Sequence, residues 1–171
     1  MKKIKFAIIG NPISHSLSPT MHNYWFDKYN INAKYELLNT KESEIQNVIN
    51  RIKDKEIRGI NVTLPYKKSV IPFLSKTIND AKETHSVNTI ILDDHGNLIG
   101  ENTDVFGFQA AYLKSIPGQE KKSKKVLILG AGGVAPSIIY ALRKMKVSKI
   151  TLSNRTKEKA ESLKNLFKDI E

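Results

Sequence analysis

Apolar and polar positions alternate in two recurring periods along the chain. Phe6 to Ile9 is a short apolar run closed by Gly10-Asn11-Pro12, the pattern of a buried strand that delivers the chain into a loop. Ser18-Pro19 then supplies a helix start, and Met21, Tyr24, Trp25 and Tyr29 recur at helical spacing, predicting a helix to about Asn30. Tyr35 to Leu38 predicts a second strand. Glu44 to Ile52 predicts a second helix, with Ile45, Val48, Ile49 and Ile52 on one stripe. In Gly59 to Pro65, strict alternation places Ile60, Val62 and Leu64 on one face and Asn61 and Thr63 on the other. Val87 to Leu92, Asp93 to Asn97 and Leu98 to Gly100 have the apolar, turn, apolar form of a hairpin.

The pattern changes after a polar stretch from Tyr112 to Lys125, which contains Pro117-Gly118 and reads as a linker. Beyond it come a strand (Val126 to Leu129), a turn (Gly130 to Gly133), a helix (Ala135 to Lys146), a strand (Lys149 to Ser153) and a last helix from about Lys157. This is one βαβ unit, and a dinucleotide-binding fold needs several further parallel strands. The whole reads as an α/β protein in two parts: residues 1–103, a connecting helix and linker at 104–125, and an incomplete second domain at 126–171.

Composition narrows the classes. A hydrophobic content of 40% in 171 residues supports a buried core. No apolar stretch approaches the roughly 20 residues that span a bilayer, and the first apolar run ends without a small-residue cleavage site, so a cytoplasmic protein is expected. The absence of cysteine excludes disulfides and thiolate metal sites, and no metal site is expected. A net charge of +11 favours anionic partners. The one dense lysine run, Lys121, Lys122, Lys124 and Lys125, lacks the interleaved aromatics that stack on bases, so nucleic acid is not expected.

Two sets of residues carry candidate chemistry. Gly130-Ala131-Gly132-Gly133-Val134-Ala135 fits G-x-G-x-x-A between a strand and a helix, where glycines admit a pyrophosphate and the helix start offers free N–H groups. Its bland alternative is a tight strand-to-helix turn. The second strand of this unit ends in Asn154-Arg155-Thr156 and not in the acidic residue that holds an NAD ribose, so NADP(H) is the expected cofactor. Lys159, one turn beyond Arg155, either adds positive charge there or is a solvated helix lysine. In the first half, Ser16 and Ser18 lie in the loop after the first strand, with Ser18 also placed to cap the helix. Asn61 and Thr63 share a polar face, Lys67 follows Pro65-Tyr66, Asn88 interrupts an apolar strand, and Asp104 opens a helix. A polar pair at the carboxyl end of a strand in such a sheet points to a ligand crevice.

Gly10 to Pro19, Asn61 to Lys67, Ser86 to Thr89 and Gly100 to Asp104 resemble, in order and spacing, the shikimate dehydrogenase family. Gly130 to Ala135 and Asn154-Arg155-Thr156 resemble that family's NADP-binding motifs. The resemblance implies an N-terminal α/β substrate-binding domain followed by the first βαβ unit of a Rossmann-type NADP-binding domain. It implies that Ser16 and Ser18 hold the substrate carboxylate, that Thr63, Asn88, Asp104 and Lys67 contact ring hydroxyls, that Lys67 and Asp104 are the catalytic pair, and that Asn61 supports them. His15 lies inside the motif and receives no catalytic role.

The implied reaction is the reversible, NADPH-dependent reduction of 3-dehydroshikimate to shikimate, with a monomer or homodimer as the expected state. The family also implies later strands that complete the nicotinamide pocket and a C-terminal helix bearing a substrate-binding glutamine. These 171 residues hold neither, so a chain truncated at its C-terminus, with low activity, is expected. Two alternatives stay open: a quinate-using member of the same family, and a noncatalytic shikimate-binding fragment.

Overall fold

The computed structural model describes residues 3–115 and 125–171. They divide into two compact units, Met1–Glu101 and Asn102–Glu171.

The first unit is built on a mixed sheet. Strands β1 (Ile4–Gly10), β2 (Ala33–Asn39), β3 (Gly59–Val62), β4 (Lys76–Thr77), β5 (Thr89–Leu92) and β6 (Leu98–Glu101) lie in the order β2-β1-β3-β5-β6-β4. β1 runs parallel to β2 and β3, whereas β5 is antiparallel to both β3 and β6. Helices α1 (Ser18–Lys28) and α2 (Ile45–Lys53) make the two crossovers among the parallel strands, and a short α3 (Asp80–Thr84) precedes β5.

Strand alternation explains how the two faces are used. Ala7, Ile9, Ile60 and Val62 point into the main core with Ile45, Val48, Ile49 and Ile52 of α2, so the predicted stripe is the buried face of that helix. Each of the isoleucines and valines among them contributes roughly 1.5–3 kcal/mol by leaving water. The opposite face carries Ile8, Ile13 and Tyr35, with Phe6, Phe26 and Leu37 packed against them. Phe26 belongs to α1, so that helix covers the second face.

The helix expected after Ser18-Pro19 is α1, but Met21, Tyr24, Trp25 and Tyr29, whose spacing predicts it, are 51%, 57%, 41% and 63% exposed. The helix docks instead through Phe26, through His22, whose ring stacks on Tyr35 at 4.3 Å, and through Asn23. Leu64 leaves the alternation, because β3 ends at Val62 and the chain turns; Leu64 is 56% exposed. The linker stretch also starts later than predicted, since α4 (Asp104–Ser115) includes Tyr112. Pro117, Gly118, Lys121, Lys122 and Lys124 lie outside the described residues.

The second unit contains α4, β7 (Lys125–Leu129), α5 (Ala135–Lys144), β8 (Lys149–Ser153) and α6 (Lys157–Leu166). β7 and β8 are parallel, from Lys125 opposite Lys149 to Leu129 opposite Ser153. One face of this pair packs Ile128 and Ile150 against Ala135, Ile139, Leu142, Leu163 and Phe167. Phe108 of α4 joins that cluster, and Gln109 donates from Nε2 to the Ala141 carbonyl at 3.3 Å. The other face of β7 presents Leu127 and Leu129, 61% and 79% exposed. Among the described residues no helix is long and apolar enough to cross a membrane.

Candidate active site

In the first unit the candidate residues gather where β1 and β3 end and β5 begins. Gly10 makes this possible. A Cβ there would lie 2.7 Å from both Ile13 Cδ1 and Thr63 Cγ2 and 2.9 Å from the Leu64 carbonyl oxygen, so only glycine lets the two loops touch. The Asn11 N–H donates to the Leu64 carbonyl at 3.2 Å, and the Thr63 N–H donates to the Ile9 carbonyl at 2.9 Å. The loop bearing Ser16 and Ser18 is thereby laced to the segment bearing Thr63.

The turn that follows is held from both sides. Tyr66 is buried and donates its hydroxyl to the Thr40 carbonyl at 2.7 Å, while its N–H donates to the Thr63 carbonyl at 2.9 Å. Lys67, next in sequence, accepts the Val87 N–H on its carbonyl at 2.8 Å. The Val62 N–H donates to the Asn88 carbonyl at 2.8 Å. Thr63, Lys67 and Asn88 are therefore placed by backbone bonds that join adjacent chain segments at one end of the sheet, the end where α/β sheets bind ligands.

Ser18 is the first residue of α1 and not its cap. Leu17 occupies the capping position without a side-chain bond, and the Ser18 N–H is instead taken by Ser16 Oγ at 3.3 Å. Ser16 thus has the structural duty that the sequence suggested for Ser18. Asn61 lies on the α1 face of the sheet beside Ile8, as the alternation predicted, and its amide is fully engaged. Tyr35 donates to its Oδ1 at 2.7 Å, a contact that nothing in the strand pattern indicated.

In the second unit Asp104 is the first residue of α4 and is partly buried. Its N–H donates to Asn102 Oδ1 at 2.9 Å. Asn102 stands in the sequence only as part of the Gly100 to Asp104 motif; its side chain holds the first N–H of α4.

The glycine turn lies between β7 and α5, as its motif predicted. Gly130 has φ +109, a backbone region that side-chain-bearing residues rarely adopt. Gly132 has no such need: a Cβ there would meet nothing within 4 Å among the described residues. Open space above a glycine at the start of a helix suits the close approach of a pyrophosphate, and α5 begins beside it with Pro136 in a first turn that requires no donor. Gly133 and Ala131 are partly buried, Val134 is exposed and Ala135 is buried.

Asn154 has both amide ends committed to this turn. Its Oδ1 accepts the Ala131 N–H at 2.9 Å and its Nδ2 donates to the Thr156 carbonyl at 2.7 Å, so it shapes the loop. Arg155, Thr156 and Lys159 are exposed just beyond it. Among the described residues no three His, Asp or Glu side chains converge as metal ligands.

Two family models match this chain, one described as shikimate dehydrogenase substrate binding domain over residues 8–90 and one as shikimate / quinate 5-dehydrogenase over residues 113–171. The chain belongs to the shikimate dehydrogenase family. A curated shikimate dehydrogenase (NADP(+)) of Pelagibacter ubique is 52% identical over 100% of this chain and 63% of its own length. The crystal structure of shikimate dehydrogenase from Aquifex aeolicus superimposes with a TM-score of 0.88 at 38% identity, covering 99% of this chain and 62% of the other. That of the Thermus thermophilus enzyme in complex with NADP(H) and shikimate gives 0.83 at 32% identity, covering 96% and 61%. The chain spans less than two thirds of the length of these relatives. Its architecture is that of the family: an α/β substrate-binding-type unit followed by the opening βαβ of a Rossmann-type unit.

Proposed function

We propose that this chain carries the substrate-recognition residues and the cofactor turn of an NADP-dependent shikimate dehydrogenase, which interconverts 3-dehydroshikimate and shikimate. The observation that carries this reading is the lacing through Gly10 of the Ser16–Ser18 loop to Thr63, with Lys67 and Asn88 tied in by backbone bonds. Residues 1–103 form the substrate domain and 126–171 the start of the cofactor domain, joined by 104–125.

Each residue type suits its task. The hydroxyls of Ser16 and Ser18 donate to a substrate carboxylate without adding charge. Thr63 and Asn88 hydrogen-bond ring hydroxyls, and Asn61 supports them. NADPH, when bound at the glycine turn, supplies the hydride to the ring carbonyl carbon. As that carbon is reduced, the carbonyl π electrons pass to oxygen, and protonated Lys67 gives it a proton. In the reverse direction neutral Lys67 takes the hydroxyl proton. Asp104 is the second member of the proposed catalytic pair. Arg155 is the group for a 2′-phosphate, because a guanidinium pairs with it where a carboxylate would repel it. The partners are thus small molecules and not nucleic acid, in a cytoplasmic protein.

Calorimetric titration with shikimate, with quinate and with NADPH at moderate salt tests this reading. Shikimate binding stronger than quinate binding is the expected result. A folded chain that binds neither acid would overturn it. Shikimate binding without NADPH binding would instead mark the chain as a substrate-binding fragment.

A further inference from the structure

One side chain ties the glycine turn of the second unit to the loop that follows β8. The Gly130 N–H donates to the Ser153 carbonyl at 2.8 Å, which closes the ladder between β7 and β8. The Ala135 N–H donates to the Gly132 carbonyl at 3.0 Å, where α5 begins. Between these two bonds the described residues give the turn one further tie: Asn154 Oδ1 accepts the Ala131 N–H at 2.9 Å. The same amide donates from Nδ2 to the Thr156 carbonyl at 2.7 Å. Its orientation is fixed at both ends, because a backbone N–H can only donate and a carbonyl can only accept.

Asn154 is the first residue after β8. That is where an NAD-binding unit of this kind carries a carboxylate for the ribose 2′-hydroxyl. A carboxylate there could still accept the Ala131 N–H, but it could not donate to Thr156, and its charge would repel a 2′-phosphate. An uncharged amide makes both ties without that repulsion. Arg155, the group proposed for the 2′-phosphate, lies between Asn154 and Thr156 and is exposed. It is therefore the middle residue of a loop that the Asn154 side chain closes.

We infer that Asn154 is a positioning residue for both phosphate-binding segments of the cofactor site: through Ala131 it sets the glycine turn, and through Thr156 it sets the loop that presents Arg155. The inference rests on the reading that NADP(H) binds at this turn. A side chain that served the 2′-phosphate alone would be invisible to NADH, which lacks that group. One that sets the glycine turn is felt by both cofactors, because a turn that must be ordered on binding gives up preorganisation for either.

The test uses Asn154→Ala and Asn154→Asp in this chain. NADPH and NADH are titrated by fluorescence, and hydrogen exchange of the Ala131 amide is followed in the 15N spectrum of the free protein. Asn154→Ala removes both ties, so the Ala131 amide should lose protection and both cofactors should weaken about three- to tenfold, the range of one ordinary hydrogen bond. Asn154→Asp keeps the acceptor for Ala131. That amide should stay protected, NADH should lose less than in Asn154→Ala, and NADPH should lose more, since the new charge opposes its 2′-phosphate. A side chain that merely supported the fold would lower the melting temperature without this split. NADH binding unchanged in Asn154→Ala, or equal losses of the two cofactors in Asn154→Asp, would overturn the inference. Failure of the wild-type chain to bind either cofactor would remove the cofactor reading, and this inference with it. The Ala131 amide, observed without cofactor, distinguishes that case from failure of the tie itself.

Discussion

Asn102 and Ser137 share a buried hydrogen bond, Nδ2 to Oγ at 2.9 Å, at side chains 3% and 0% exposed. The other end of the same amide accepts the Asp104 N–H at 2.9 Å. One asparagine therefore ties the start of α4, which carries Asp104, to the first turn of α5, which opens on the glycine motif. Ser137→Ala removes a buried partner from Asn102, and an expected destabilisation of about 1–3 kcal/mol follows. Asn102→Ala also loses the helix-start bond, and the double variant should be less unstable than the sum of the two, since both remove one interaction. Urea unfolding followed by circular dichroism measures all three; strict additivity would show that the contact carries no energy.

Gly10→Ala should both destabilise the first unit and weaken shikimate binding. The added methyl meets a backbone oxygen at 2.9 Å as well as two side-chain carbons at 2.7 Å, and a backbone oxygen cannot rotate away. Overpacking of this kind costs about 1–3 kcal/mol. The strain falls where the serine loop touches Thr63, so the melting temperature and the shikimate dissociation constant should change together. A variant that melts lower yet binds normally would show that the contact is structural alone.

Much of the architecture could be read from periodicity, and the exceptions have physical causes. The apolar residues of α2 all face inward, and the hairpin and the βαβ unit carry continuous apolar runs between turn residues even though Ile91, Leu127 and Leu129 are exposed, so counting apolar positions finds all three. α1 defeats the count because polar residues with partners make its inward contacts: Asn23 completes the edge of β2 and His22 lies flat on Tyr35, while Trp25 and Tyr29 stack on each other in the open. The candidate site residues were legible as short motifs. Their supports, Tyr35, Tyr66 and Asn102, were not, since each looks in sequence like an ordinary strand, turn or helix-start residue. The role of Gly10 became visible only once Thr63 and Leu64 were known to lie against it.

Arg155→Ala should lower NADPH affinity about 10- to 100-fold while leaving NADH affinity within about twofold. A hydrogen bond to a charged group is worth about 1.5–3 kcal/mol, and the two cofactors differ only by the 2′-phosphate. Arg155 is exposed after β8, and Asn154 holds the loop from beneath through Ala131 and Thr156, so the substitution should not disturb the fold. Lys159→Ala serves as the comparison: a smaller loss assigns it a long-range contribution, and none leaves it a surface lysine. Fluorescence titration of both reduced cofactors gives the ratio, and equal losses for NADPH and NADH would remove Arg155 from the 2′-phosphate site.

His22 should make the first unit less stable as the solution is acidified below neutrality. Burial against Tyr35 lowers its folded-state pKa from the ordinary histidine value of 6.5, because the charged ring is denied water. In the unfolded chain the ring titrates normally. As the pH falls through 6.5 the unfolded state therefore takes up a proton that the folded state does not yet accept, and the balance moves toward unfolding. The loss continues until the pH passes the lowered folded-state value, below which both states are protonated and the difference is constant. His22→Gln removes the titration while keeping a polar side chain of similar length. Melting temperatures recorded from pH 7.5 to pH 5 should fall more steeply for the wild type than for this variant. Parallel curves would mean that the stacked ring is as easily protonated in the folded protein as in the unfolded chain, as it would be if attraction between the imidazolium and the Tyr35 ring offset the cost of burial.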